Sequence, residues 1–187
     1  MTDLHRLPAD LPVPADDGAC DHLPGLRLPA LAQPGTDGQP HDLSSLPGRT
    51  VLYVYPRTGE PGQPLPTDWD VIPGARGCTP QSCAFRDHQA ELRVAGAEVY
   101  GLSTQGTAYQ REAAERLHLP FVLLSDEAMT FSGALRLPTF GVDGMTLLRR
   151  VTLVVRAGVV EHVFYPVFPP EQNAADVLEW LRAHPAG

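Results

Sequence analysis

The thiol at position 78 stands where a cysteine can be chemically active. The run Gly77-Cys78-Thr79-Pro80-Gln81-Ser82-Cys83 sets it at the mouth of an expected helix. Thr79 suits the N-cap, and Pro80 suits the first helical position, whose N–H has no partner in any case. A helix N-terminus carries roughly half a positive charge and unbonded N–H groups, so it favours a thiolate over a thiol. The thiolate is the nucleophile in cysteine chemistry. Arg76, two residues earlier, adds positive charge. A second thiol, Cys83, lies in the same helix. Five helical steps turn it by about 140° and raise it by ~7.5 Å. The two Cα atoms are then about 8.7 Å apart, beyond the ~7 Å reach of a disulfide. A bond between these cysteines therefore requires the first turns of the helix to unwind. The plainer reading of Cys83 is a small buried apolar residue, and Cys20, in a Pro/Asp-rich stretch, is a bystander.

Other chemistries find little support. The chain of 187 residues carries 14 arginines and no lysine, which excludes lysine nucleophiles and Schiff bases. A net charge of −8 argues against nucleic-acid binding, which needs a basic surface. The seven histidines are scattered without zinc-ligand spacing, so no metal is expected, and no cofactor motif is present. No window has the ~18 uninterrupted apolar residues of a membrane span. The N-terminal run MTDLHRLPADLPVP has no apolar core of a secretory signal, so a cytoplasmic location is expected. Three cysteines in such a setting point to reactivity more than to a disulfide framework.

The elements that must position Cys78 can be read from pattern. Residues 1–25 form an expected extended arm, followed by one domain over 26–187. Leu26–Leu31 is an expected edge strand, and Gly35-Thr36-Asp37-Gly38 a turn. Thr50–Tyr55 is a continuous β-branched and aromatic run, the pattern of a buried central strand. A Gly/Pro-rich loop over 57–77 leads to the helix from Thr79 to about Ala95, stopped by Gly96. Then strands at Glu98–Ser103 and Phe121–Leu124 alternate with helices at Thr107–Leu117 and Glu127–Leu135. Val151–Val155 and Val159–Phe164 make a hairpin turning at Ala157-Gly158. Pro170–Ala183 closes the chain as an amphipathic helix. The order describes an α/β fold, a mixed central sheet with helices on both faces.

These residues resemble a known family. Gly77-Cys78-Thr79-Pro80-Gln81-Ser82-Cys83-Ala84-Phe85-Arg86-Asp87 is similar to the active-site segment of the bacterioferritin comigratory, or Q-type, peroxiredoxins, P-G-C-T-x-x-[AS]-C-x-F-R-D. Leu43–Gly48 followed by Val51–Pro56 resembles their L-x-x-x-x-G … V-L-Y-F-Y-P segment. Gly101–Thr104 resembles their G-I-S-T, and Leu119–Asp126 their L-P-F-x-L-L-S-D. The likeness runs over about residues 25–185.

The resemblance implies a thioredoxin fold and a thiol-dependent peroxidase acting on hydrogen peroxide and organic hydroperoxides. Cys78 would be the peroxidatic residue, oxidised to a sulfenic acid. Cys83 would resolve it as an intramolecular disulfide, recycled by thioredoxin or a similar dithiol. Arg150, with Arg149 beside it, falls where the family has an arginine that holds the thiolate and polarises peroxide. The resemblance also implies a monomer or weak dimer. The family's P-x-x-x-[TS]-x-x-C loop is altered here. Ala75 occupies the hydroxyl position, and Pro56 stands 22 residues before Cys78, so an insertion at about 57–75 splits the motif. Thr58, Thr67 and Thr79 are the candidates for the missing hydroxyl. Two other readings stay open: a redox sensor or binding module on a thioredoxin scaffold, and a one-cysteine peroxidase with Cys83 structural. A disulfide oxidoreductase would need Cys-x-x-Cys, which is absent.

Overall fold

The computed structural model describes residue 4 and residues 6–185. Gln33–Pro34 (β1) and Pro40–His41 (β2) form a short ladder around the expected turn, closed by the Gly38 N–H on the Gly35 carbonyl at 3.0 Å. The apolar run gives Arg49–Val54 (β3), buried along its whole length. The long loop leads to α1 (Cys78–Asp87) and α2 (Gln89–Val94). Ala97–Ser103 (β4), Thr107–Arg116 (α3), Val122–Ser125 (β5) and Thr130–Ala134 (α4) follow. Next come Thr139–Val142 (β6), Met145–Leu148 (β7), Val151–Arg156 (β8), Val159–Phe164 (β9) and Asn173–Ala183 (α5).

Five strands make one mixed sheet in the order β5-β4-β3-β8-β9. β3, β4 and β5 run parallel, while β8 is antiparallel to both β3 and β9. Strand period sorts the core into two layers. Val51, Tyr53 and Tyr55 face Phe85, Leu92, Val177, Leu178 and Leu181, from α1, α2 and α5. Leu52 and Val54 face the other way, towards Phe131 and Leu135 and the N-terminal Cys20 and Leu23. This is the α/β architecture with helices on both faces that the resemblance implies. Gly101, paired with Tyr53 across β3 and β4, lets the tyrosine ring cross the sheet, since a Cβ there would sit 2.7 Å from the ring.

Three expectations about elements are corrected, and one element is new. Leu26–Leu31 is not a strand: Arg27 alone bridges Val159, and Pro29, lacking an N–H, ends the ladder. The helix expected from Thr79 to Ala95 is two helices broken at His88, at φ −97° and ψ 3°. The His88 ring Nδ1 lies 3.0 Å from the Ala84 carbonyl that its own N–H also uses, a local competition of the kind that disrupts helices. Glu127–Leu135 shortens to Thr130–Ala134, because Met129 is left-handed (φ 54°) and the Asp126 carboxylate accepts from the N–H groups of Phe131 (3.1 Å) and Ser132 (2.8 Å). The β6–β7 hairpin was not anticipated. Its turn, Asp143-Gly144, has positive φ at both residues (47° and 74°), the I′ geometry that Asp-Gly favours.

The loop inserted before Cys78 is packed. Trp69 and Ala75 share a small core with Leu147 of β7, and Leu65, Ile72, Phe140 and Met145 surround them. The Thr67 N–H donates to the Asp143 carboxylate at 2.8 Å, which fastens the loop to the hairpin turn. Of the expected N-terminal arm, residues 1–3 and 5 lie outside the described residues, and the part around Asp17 and His22 is docked as well. Tyr165 donates its hydroxyl to Asp17 at 2.9 Å, and the His22 ring lies 2.9 Å from the Leu135 carbonyl.

Candidate active site

The polar side chains that surround Cys78 come from four parts of the chain. Gly77 caps α1 at φ 107°, and a Cβ there would lie 2.3 Å from Pro170 Cγ. Glycine alone lets the loop pass under the segment leading into α5. The helix thus begins two residues earlier than the expected cap and first position. Gly77, not Thr79, is the N-cap, and Cys78 is the first helical residue, 3% exposed. Thr79 and Pro80 lie within the first turn.

Arg150 enters from the short link between β7 and β8 and is also 3% exposed. Its Nη2 lies 3.3 Å from Cys78 Sγ. The same nitrogen faces the carbonyls of Gly74 (3.3 Å), Ala75 (3.2 Å) and Arg76 (3.1 Å), so the end of the inserted loop wraps the guanidinium. Nη1 donates to Gln81 Oε1. Arg149 points elsewhere, to the Thr139 carbonyl at 3.3 Å. Sequence position left Arg149 as a neighbour of the site; geometry places Arg150 at the sulfur.

Behind this pair lies a layer that sequence reasoning missed. Gln81 Nε2 donates to Asn173 Oδ1 at 2.9 Å, and Thr152 Oγ1 donates to the same oxygen at 2.7 Å. Gln81, Asn173 and Thr152 are all buried. Gln81 had a signal, since it follows Cys78 by three residues and so shares its helix face. Asn173 and Thr152 had none, because only the tertiary fold brings α5 and β8 to α1.

The three candidate hydroxyls separate cleanly. Thr58 is buried against Gln105, whose Oε1 accepts from its N–H (2.9 Å) and hydroxyl (3.1 Å). Thr67 is exposed on the inserted loop. Thr79 lines a narrow cavity with Cys78, Gly77, Arg76, Arg57, Gly59, Leu4, Leu65 and Trp69. That cavity measures about 10 Å³, roughly the room for one water. Pro56 is buried two residues past the end of β3 and is not among the lining residues. Arg76 forms an ion pair with Asp70 of the inserted loop at 3.4 Å.

Cys83 is half-buried on α1, and all three thiols are free. Burial pushes the Cys83 thiol up, with Arg86 opposing. Tyr53 donates to the intervening Ser82 hydroxyl at 3.1 Å, and its ring stacks on Phe85 at 4.6 Å. Cys20 belongs to the apolar layer on the opposite face of the sheet, where burial and then Asp17, Asp16 and Asp21 push its thiol up to about 12.

Comparison with known proteins adds ancestry to this geometry. The redoxin family pattern matches residues 23–178. Peroxiredoxin Q of Oryza sativa subsp. japonica is 34% identical over 163 residues, which cover 85% of this chain and 66% of the rice protein. Peroxiredoxin Q of Sedum lineare is 33% identical over 85% of this chain and 77% of its own length. Among solved structures, the peroxidoxin BcpB of Mycobacterium tuberculosis superposes with a TM-score of 0.71 at 27% identity, covering 88% of this chain and all of its own (100%). Peroxiredoxin Q of Xanthomonas campestris shares the fold, at a TM-score of 0.64 and 21% identity over 94% of this chain and 99% of its own. The redoxin match spans the sheet, the cysteine helix and the strand that follows the arginine, so the chain belongs to the redoxin family, in its peroxiredoxin Q branch.

Proposed function

We propose that the protein is a thiol-dependent peroxidase, with Cys78 the peroxidatic and Cys83 the resolving cysteine. The observation that carries this reading is Arg150 Nη2 at 3.3 Å from Cys78 Sγ, on the first residue of α1, in a peroxiredoxin chain. A guanidinium held there stabilises the thiolate and is aimed where charge develops on the departing oxygen. The Cys78 thiolate attacks one peroxide oxygen and the O–O bond breaks. The sulfur becomes a sulfenic acid, and the other oxygen leaves as hydroxide or alkoxide, which takes a proton. The Cys83 thiolate then attacks the Cys78 sulfur, forming the disulfide and expelling hydroxide, which takes a proton to leave as water. A thioredoxin-like dithiol returns both thiols by exchange.

Thr79 is the hydroxyl in reach of the bound peroxide, since it shares the cavity with Cys78. Pro56 supports the strand end behind it. Both hydrogen peroxide and organic hydroperoxides are substrates in this reading, in a compartment that keeps thiols reduced, such as the cytoplasm. The test is turnover. Reduced protein given dithiothreitol should consume many equivalents of hydrogen peroxide, and Cys78→Ser should consume none. Consumption of a single equivalent by the parent protein would overturn the enzyme in favour of a one-shot sensor.

A further inference from the structure

The hydrogen-bond chain behind Arg150 has a direction, and the direction is forced. A guanidinium can only donate, so the Gln81 atom facing Arg150 Nη1 must be the carbonyl oxygen. The Gln81 amide nitrogen then points away and needs an acceptor. It finds Asn173 Oδ1 at 2.9 Å. That oxygen also receives the Thr152 hydroxyl at 2.7 Å, so it is held as an acceptor from two sides. All of these groups are closed off from solvent: Gln81 and Thr152 are 0% exposed and Asn173 is 1% exposed. A buried primary amide has two ends of nearly the same shape and opposite hydrogen-bonding character. Here only one of them is tolerated next to the guanidinium.

We infer that Asn173, held by Thr152, is a positioning residue for the peroxidase reaction: it keeps the Gln81 amide turned with its oxygen to Arg150, and so keeps Arg150 on the Cys78 sulfur. The inference rests on the proposed function. It brings the start of α5 into the machinery of a site otherwise built from α1, the inserted loop and the β7–β8 link. Pro170, three residues earlier, packs over Gly77, so this one segment touches the helix start at two points. Without Asn173 only Arg150 holds the amide, and its buried NH2 is left with no acceptor. The side chain then shifts to satisfy it, and the guanidinium loses the geometry that serves the thiolate.

The inference separates orientation from packing. In a Cys83→Ser background, which isolates the first step, Asn173→Ala should slow oxidation of Cys78 by hydrogen peroxide by about tenfold, the worth of one buried neutral hydrogen bond. Adding Gln81→Glu to Asn173→Ala should restore most of that rate. A carboxylate offers an acceptor to Arg150 in either orientation and needs nothing behind it to choose. Thr152→Val, which removes one hydroxyl at nearly constant shape, should slow the same step several-fold. It serves as the deciding variant if Asn173→Ala fails to fold. An unchanged rate in a folded Asn173→Ala or Thr152→Val protein overturns the inference. So does a Gln81→Glu, Asn173→Ala protein as slow as Asn173→Ala alone, because the loss would then come from packing. If the Cys83→Ser parent itself does not react with peroxide, the peroxidase reading fails and takes the inference with it.

Discussion

At residue scale the site depends on one cation in contact with one sulfur. Arg150 spends its two terminal nitrogens differently, Nη1 on Gln81 and Nη2 on Cys78 and three carbonyls. Lysine has the charge but not the fork, so it cannot serve both. Arg150→Lys should slow peroxide reaction of Cys78 by about 100-fold, near 3 kcal/mol of barrier, measured by stopped-flow fluorescence; a loss of less than about threefold would mean that charge alone matters. Cys83, the proposed resolving thiol, makes a pH prediction. Burial raises Cys83 above its ordinary value of 9.0, so near neutrality it is mostly protonated and its thiolate fraction grows about tenfold per pH unit. Disulfide formation from the sulfenic acid should therefore accelerate between pH 7 and pH 8.5, and a flat profile for that phase would count against Cys83 as the attacking group. The Cys78 setting was legible in the sequence because a helix start is local, whereas Arg150 was legible only through the family resemblance. Gln81 was half legible, through its spacing. The polar layer at Thr152 and Asn173 was not, since its partners lie 21 residues apart or more.

At the scale of elements, the helix carrying both cysteines has an end of its own. The break at His88 makes α1 a ten-residue unit separate from α2. With Cys78 and Cys83 five residues apart in that helix, their Cα atoms are about 8.7 Å apart by ideal geometry, so the disulfide needs α1 to open. The break offers a place for opening to stop. Hydrogen exchange should rise over residues 79–87 in the disulfide form, while Leu92 and its neighbours in α2 stay protected. Uniform exchange in both redox states would contradict this. The central strand and the β8–β9 hairpin were readable because each has a continuous apolar run or a clear turn. The helix break was not, because it turns on where one histidine ring bonds. The β6–β7 hairpin could have been found from Asp143-Gly144, a strong turn signal between short strands too weakly patterned to be noticed alone.

For the whole molecule, the inserted loop and Leu4 are part of the wall around Cys78. Trp69 and Leu65 of the loop, and Leu4 before it, line the cavity at Cys78, and Trp69 anchors the loop on the hairpin through Phe140 and Leu147. Trp69→Ala should release the loop. Limited tryptic digestion should then cut after Arg57 and Arg76 faster than in the parent, and the unfolding free energy should fall by about 3 kcal/mol, the lower end of the cost of truncating a large buried aromatic. Unchanged digestion would show that the loop is held by other contacts. Loop packing of this kind was invisible in sequence, where a Gly/Pro-rich stretch has no period to read. The central claim is that Cys78 and Cys83 form one catalytic pair. Its most direct test is intact mass and peptide mapping of the reduced protein after one equivalent of hydrogen peroxide. The account predicts a loss of two hydrogens and a Cys78–Cys83 linked peptide; one oxygen stably retained on Cys78, with Cys83 still free, would contradict it.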